Sequence, residues 1–420
     1  MPTIVKNKDE NDWGDLTMIK AYRIYSTKNN GMDKNNKISI RTQLLAFYLF
    51  LAPLDFLSVV PGVSLARILI FLPLVGSLIY LKYVKIRIDR FFAVPLFYLI
   101  IITLTSYYSY DVAFTQQRII TIVLNITVIL ILSMFTYNHR ELALIKKSFA
   151  FSGWLTVVLM LFYADRNIIG GERLTIAING VYQDPNYLTG FFIFPIIYYL
   201  DDFTKKKNKL SIIKMIVFLV FVLLTGSRGG LMAIIVSILF YSLMRMKDVK
   251  KRFSSIAILS VLISILGLIF NFVLNMMPES VANRYDIAFT LRDGGADRWE
   301  IWESVINNYR QSPIFNQIFG WGAGTIRYFT YNGNVAHNIW VESLMEIGIF
   351  GVFILFVFYL LYFKKSYNLG AYVVASSFLG YMIMGLSMSL YSYKPIWNIL
   401  LLIIILKNSG FKKDTLQTDK

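Results

Sequence analysis

Apolar residues in this chain gather in long runs, not in the alternating or stripe-like patterns of a soluble fold. The runs cover about residues 42–60, 64–84, 91–110, 118–137, 148–164, 187–200, 210–226, 230–245, 253–276, 339–363, 370–390 and 395–406. A helix needs roughly 20 residues to cross about 30 Å of hydrocarbon. Most runs approach that length, so they predict twelve transmembrane helices, the sixth and twelfth short. Tyrosines cluster at run ends (Tyr107, Tyr108, Tyr110; Tyr198, Tyr199; Tyr391, Tyr393), as aromatic belts do at membrane interfaces. The expected fold is an all-α, polytopic membrane protein. A tail at 1–41 precedes helices 1–9 over 42–276, a large polar loop spans 277–338, helices 10–12 occupy 339–406, and a second tail covers 407–420.

Composition agrees: 56% of the 420 residues are hydrophobic and only 16% charged, which excludes an ordinary soluble enzyme or a disordered chain. There is no cysteine, so disulfides and thiolate metal sites are excluded. No signal peptide is visible, and the first 41 residues read as a cytoplasmic tail. The net charge of +17 would suggest nucleic acid in a soluble protein, but here its value is topological. Lys82, Lys85, Arg87 and Arg90 fill one linker, Lys205, Lys206, Lys207, Lys209 and Lys214 another, and Arg245, Lys247, Lys250, Lys251 and Arg252 a third. Cytoplasmic loops concentrate such residues, so both termini are expected inside and the 277–338 loop outside.

That topology separates the two basic residue types. The inner side holds 24 Lys and 7 Arg; the outer side holds one Lys, Lys394, and ten Arg. The ten are Arg67, Arg118, Arg166, Arg173, Arg228, Arg284, Arg292, Arg298, Arg310 and Arg327. The positive-inside effect would deplete both types outside, and it does not explain selective retention of Arg. Guanidinium is planar and binds phosphate through paired hydrogen bonds, which ammonium cannot do. The set points to an extracytoplasmic phosphate or pyrophosphate site, although headgroup anchoring or ion pairing explains any single member equally well.

Within the outer loop, Gly294-Gly295, a capping Asp297 and Glu300 predict a helix start. Trp299, Trp302, Ile306 and Tyr309 then share one face, flanked by Arg298 and Arg310, until Pro313 ends the helix. That aromatic stripe fits either packing on the bundle or contact with sugar rings. Gly320-Trp321-Gly322-Ala323-Gly324 lacks the Lys-Ser/Thr of a nucleotide-cradling loop and reads as a tight turn. Of the two histidines, His139 lies in an inner linker. His337 falls where the loop enters a span, and a helix amino terminus disfavours imidazolium, keeping it able to accept a proton.

His337-Asn338, followed by Gly348 and Gly351, resembles the signature of the O-antigen ligase and polymerase superfamily. Thr225-Gly226-Ser227-Arg228-Gly229-Gly230-Leu231, Asp184-Pro185-Asn186, Arg298-Trp299, Pro313, Phe319-Gly320-Trp321-Gly322, and Glu342 with Glu346 extend the similarity over about residues 180–355. The resemblance implies a GT-C-type, inverting, metal-independent glycosyltransferase of the bacterial cytoplasmic membrane, its active site on the extracytoplasmic side. It implies two lipid-linked substrates, a polyprenyl-pyrophosphate-linked oligosaccharide donor and an acceptor, with membrane lipid around them and no nucleic acid. A chain-length regulator and a flippase are further partners to expect. No cofactor and no metal is expected. His337 becomes the candidate general base. Arg67, Arg118, Arg228 and Arg298, with Arg292 behind them, become candidate pyrophosphate ligands. Asp184, Asn186, Asn338, Trp299 and Trp302 become candidate substrate-positioning residues. Glu342 and Glu346, one turn apart inside a span, call for an internal partner such as an Arg. Asp55 is a rival base, and Asp293 with Asp297 a rival metal pair. A polymerase of capsule, exopolysaccharide or O-antigen repeat units is favoured over a ligase. A lipid-linked oligosaccharide flippase is the rival from another class, against which the absence of a repeated half counts.

Overall fold

Every one of the twelve predicted runs falls on a helix, but the helices end where local chemistry dictates. The computed structural model describes residues 37–60, 63–80, 90–165, 173–247 and 249–410. The 1–36 part of the amino-terminal tail, most of the 82–90 linker, Arg166 and residues 411–420 lie outside the described residues. The described residues from Ile40 to Gly410 pack as one unit.

The first run is helical only over α1 (Ile40–Phe50), because Pro53 lacks an N–H to continue the ladder and a 3-10 turn, Ala52–Phe56, follows. Strands β1 (Ser58–Val60) and β2 (Val63–Ser64) then pair antiparallel. The second run breaks into α2 (Leu65–Leu69) and α3 (Phe71–Leu78). Next come α4 (Ala93–Thr105), α5 (Val112–Ser133) and α6 (His139–Phe162). Asp111 caps α5, and Asn138 with Glu141 forms a capping box on α6. A small antiparallel sheet, β3 (Ala164–Asp165), β4 (Thr175–Ile178) and β5 (Val181–Tyr182), closes this half.

The core is built on α7 (Pro185–Lys206), from which Leu188, Phe192, Phe194, Ile196 and Ile197 are fully buried. It runs six residues beyond the carboxyl end of the apolar run 187–200, where Lys205–Asp201 and Lys206–Asp202 ion pairs, each 2.9 Å, extend its last turns. α8 (Lys209–Leu224), α9 (Arg228–Met246) and α10 (Val249–Met276) follow as antiparallel neighbours. The lysine-rich junctions 205–214 and 245–247 therefore share one end of these helices, and the α8–α9 turn lies at the other.

Residues 277–338 hold short helices: α11 (Glu279–Ala282), α12 (Ile287–Arg292), α13 (Gly294–Gln311) and α14 (Ile314–Phe319). The bundle resumes with α15 (Ile339–Asn368), α16 (Tyr372–Met384) and α17 (Lys394–Asn408). Among the described residues, α5, α6, α9 and α15 are long and apolar enough to cross a membrane, and several shorter helices are apolar too. The chain is a mostly helical, multi-pass membrane protein.

α15 is broken at Gly348, whose φ of 68° and ψ of −178° only glycine adopts readily. The break frees carbonyls of the preceding turn. Trp321 N–H donates to the Met345 carbonyl and Gly322 N–H to that of Glu346, both at 2.9 Å. The 318–322 backbone lies directly on the break: a Cβ on Gly348 would meet the Ile318 oxygen at 2.2 Å, and one on Gly320 the Glu346 oxygen at 2.2 Å.

Candidate functional site

The turn Thr225-Gly226-Ser227-Arg228 joins α8 to α9 and gathers charge around itself. Ser227 caps α9, accepting from Gly230 N–H at 3.2 Å, so Arg228 begins a helix whose amino end carries partial positive charge. The carbonyls left open at the end of α8 attract cations. Arg173 donates its Nε–H to the Thr225 carbonyl at 2.8 Å, and Arg284 donates its own to that of Gly226 at 3.1 Å. Arg173 is fixed there because its neighbour Leu174 donates to the Leu224 carbonyl at 3.0 Å. Arg228 reaches the loop, bonding Thr290 Oγ1 at 2.6 Å and Asp293 at 3.2 Å.

Asp184 completes the group from the start of α7, accepting from the N–H and side-chain amide of Asn186 at 2.7 and 2.8 Å. Asn186 in turn accepts from Arg173 at 3.1 Å. Arg298, at the first regular turn of α13, is within electrostatic reach of Asp184, Asp293, Arg228 and Arg284. Four guanidinium groups thus gather around the Asp184 and Asp293 carboxylates, with the Glu300 carboxylate against Gly294 alongside. Their mutual repulsion and burial show in their proton affinities. Burial first and then Arg284 lower Arg173 to about 10, and burial lowers Arg284 and Arg298 below the ordinary arginine value. Asp293 is held below the usual carboxylate range by Arg228, against the opposing effect of burial. A bound anion would relieve this repulsion.

His337 stands beside the cluster, half-buried, in the residue before the α15 cap, with a φ of 50°. The segment is held from three directions. Trp302 donates its indole N–H to the Ala336 carbonyl at 2.8 Å, and Asn338 caps α15 by accepting from Trp340 and Val341 N–H at 3.0 and 3.3 Å. The His337 backbone N–H faces the Glu342 carboxylate, which also accepts from the Ser389 hydroxyl. Burial, then the Arg298 charge, lower the imidazole's proton affinity, with Asp184 opposing. This shift favours the neutral imidazole, in which one ring nitrogen keeps its hydrogen and the other is open to accept a proton.

The structure therefore brings together Arg228, Arg298, His337, Asp184 and Asn186, and adds Arg173 and Arg284. The latter two belong to the lysine-poor outer arginine set, which was the signal available for them. The other candidates stand elsewhere. Arg118 lies 3.8 Å from Glu346 and 4.3 Å over the Tyr391 ring, the internal partner that the α15 carboxylates require. Arg67 donates to Thr121 at 3.0 Å, near Asp55 and Lys394. Asp55 accepts from Ser64 at 2.9 Å, and Tyr187 lies within electrostatic reach of Asp55, Asp184 and Glu342 alike. Arg292 is exposed, its Nε–H on the Ala288 carbonyl. Trp299 is 46% exposed on α13, whereas Ile301 and Val305 are its buried positions and Trp302 and Tyr309 pack beside them. Asp297 adopts a left-handed conformation with Gly295 and Ala296, and Asp293 caps this turn in its place. The regular helix accordingly starts at Arg298.

No curated protein matches the chain. Residues 213–356 match the model of the O-antigen ligase family, from within α8 to the middle of α15, and over that stretch the resemblance to the O-antigen ligase and polymerase superfamily holds.

Proposed function

We propose that this chain is a GT-C-type glycosyltransferase that polymerises repeat units of a bacterial surface polysaccharide on the extracytoplasmic side of the cytoplasmic membrane. The family match fits O-antigen ligase or polymerase activity on lipid-linked glycans in a membrane. The observation that carries the reading is the placement of His337 beside a cluster of four guanidinium groups, Arg173, Arg228, Arg284 and Arg298. The donor is a glycan joined through diphosphate to a polyprenyl lipid, and the acceptor is a sugar hydroxyl at the end of a second lipid-linked unit.

The hydroxyl oxygen attacks the donor's anomeric carbon from the face opposite the phosphate, which inverts the configuration. His337 takes the hydroxyl proton, a contribution of about 10²–10⁴-fold for a positioned base. The bond from the anomeric carbon to the phosphate oxygen breaks, and the electron pair leaves with the lipid diphosphate. Arg173, Arg228, Arg284 and Arg298 receive that developing charge in a partly desolvated setting, where fixed cations act most strongly. Glu342, Asn338 and Trp302 hold the His337 backbone. With four guanidinium groups facing the reaction, a divalent metal would be repelled, so the reaction runs without one.

The test is purified protein with a lipid-linked oligosaccharide and gel analysis of the product. Lengthened glycan on lipid supports a polymerase. Transfer only to a different acceptor means a ligase, and unchanged glycan that crosses a vesicle bilayer means a flippase. His337→Ala should leave folded, inserted protein without transfer; retained transfer would remove the base assignment.

A further inference from the structure

The end of the bundle that carries His337 holds a second constellation, made of aromatic rings. Tyr110, in the turn between α4 and α5, and Tyr328, in the 3-10 turn Ile326–Phe329, lie 4.9 Å apart between ring centroids. Both are open to solvent, Tyr110 at 59% and Tyr328 at 45%. Behind them, Tyr110 meets Phe329 edge-on at 5.7 Å and Trp321 at 6.3 Å. Polar bonds pin the rings. Tyr110 N–H donates to the Trp321 carbonyl at 2.8 Å, the Trp321 indole to Ser312 at 2.9 Å, and the Tyr328 hydroxyl to Asp111 at 2.7 Å. Asp111 and Arg327, the latter 4.6 Å over the Phe114 ring, put one charge of each sign at the rim. Such a rim places the rings in water, since both charges would be costly among lipid tails. Contiguous exposed apolar surface with a polar rim marks an interaction site.

Helix α13 fixes these rings relative to His337. Arg298, at its first regular turn, belongs to the arginine cluster. Trp302, one turn on, holds the Ala336 carbonyl beside His337 at 2.8 Å. Ser304 and Asn308 then donate to the Phe329 carbonyl at 3.2 and 2.8 Å. Arg298 to Asn308 spans about 15 Å along the axis. The order along the helix is therefore arginines, imidazole, rings. An inverting attack arrives opposite the departing phosphate, so the acceptor sugar approaches on the side where the rings stand. A pyranose presents a face of C–H bonds that packs flat on an aromatic ring, and a rim of hydroxyls that bonds carboxylate and guanidinium. We infer that Tyr110 and Tyr328, with Asp111 and Arg327, form a subsite for the acceptor glycan, seating sugars next to the one whose hydroxyl reacts. This rests on the glycosyltransferase reading and adds where the second substrate's sugars lie.

The probe is the lipid-free oligosaccharide released by mild acid from the lipid-linked substrate, which lacks the diphosphate and reports sugar contacts alone. Its binding to the full-length protein in detergent is measured by calorimetry, and transfer is followed on the same preparations with the intact lipid-linked substrate. Tyr110→Leu and Tyr328→Leu keep apolar bulk but lose the ring. Each should weaken oligosaccharide binding by about three- to tenfold, the range that one aromatic contact commands. Each should also raise KM for transfer with little change in kcat, as expected when binding alone is lost. Tyr110→Phe restores the ring and should bind as the wild type does. Wild-type transfer without oligosaccharide binding, or Leu variants that bind it as tightly as the wild type, would overturn the subsite and leave the reaction standing. Leu variants that melt lower yet keep full oligosaccharide affinity would make the rings a membrane-interface belt and end the proposal. Wild-type protein that binds the oligosaccharide but transfers nothing would overturn the glycosyltransferase reading, and the acceptor role with it.

Discussion

Replacing Gly348 by Ala should damage the helix that carries His337 at its head. Alanine at φ 68° and ψ −178° incurs about 1–3 kcal/mol of backbone strain. The added Cβ would also stand 2.2 Å from the Ile318 oxygen and 2.6 Å from the Phe319 nitrogen, both backbone atoms that cannot rotate away. Relief requires the 318–322 segment to lift, with loss of the two 2.9 Å bonds from Trp321 and Gly322, each worth about 1 kcal/mol. Together these effects come to about 3–5 kcal/mol, a melting temperature lower by roughly 3–6 °C for a chain of 420 residues. The assay is thermal unfolding of purified protein in detergent, monitored by intrinsic tryptophan fluorescence. Gly320→Ala strikes the same contact from the opposite side, so the double variant should lose much less than the sum of the two. A Gly348→Ala protein that melts within about 1 °C of the wild type would refute the reasoning.

Other outcomes follow from the site. kcat/KM should fall in acid as His337 takes up a proton, and Arg298→Gln, by removing the cation that disfavours imidazolium, should move that limb to higher pH; an unmoved limb would separate His337 from Arg298. Arg284→Lys keeps the charge but loses the planar fork, and glycan transfer should drop nearly as far as in Arg284→Gln; wild-type rates for the Lys variant would point to simple charge anchoring. Asn338→Ala removes the α15 cap at about 1 kcal/mol and should lower both melting temperature and transfer rate; an unchanged melting point would mean that the cap bonds contribute nothing. Glycan transfer should be the same with and without EDTA, and a loss restored by magnesium would overturn the metal-free mechanism.

The sequence revealed the helices more fully than their ends. Each hydrophobic run overlaps a helix, and among the described residues four helices are long and apolar enough to cross a membrane. Pro53, which ends α1, and the Lys205–Asp201 and Lys206–Asp202 pairs, which lengthen α7, are local features that hydrophobicity alone passes over, whereas the break of α15 at Gly348 depends on the 318–322 backbone packed against it. The family motifs and the lysine-poor arginine set drew attention to Arg228, Arg298, His337, Asp184 and Asn186. Arg173 and Arg284 escaped selection because what recruits them is a pair of exposed backbone carbonyls on the α8–α9 turn, and carbonyls have no signature in sequence. Arg118 meets Glu346 through tertiary packing across more than two hundred residues, a pairing that no local motif announces.

The four guanidinium groups come from three separate stretches of chain: one precedes α7, one opens α9, and two belong to the loop before α15. A chimera made by grafting residues 277–338 from a related protein would carry Arg284 and Arg298 but leave Arg173 and Arg228 with the host. Such hybrids would mate two half-pockets never matched to each other. Efforts to redirect the enzyme toward other glycans should therefore exchange 173–338 as a block, moving all four groups together.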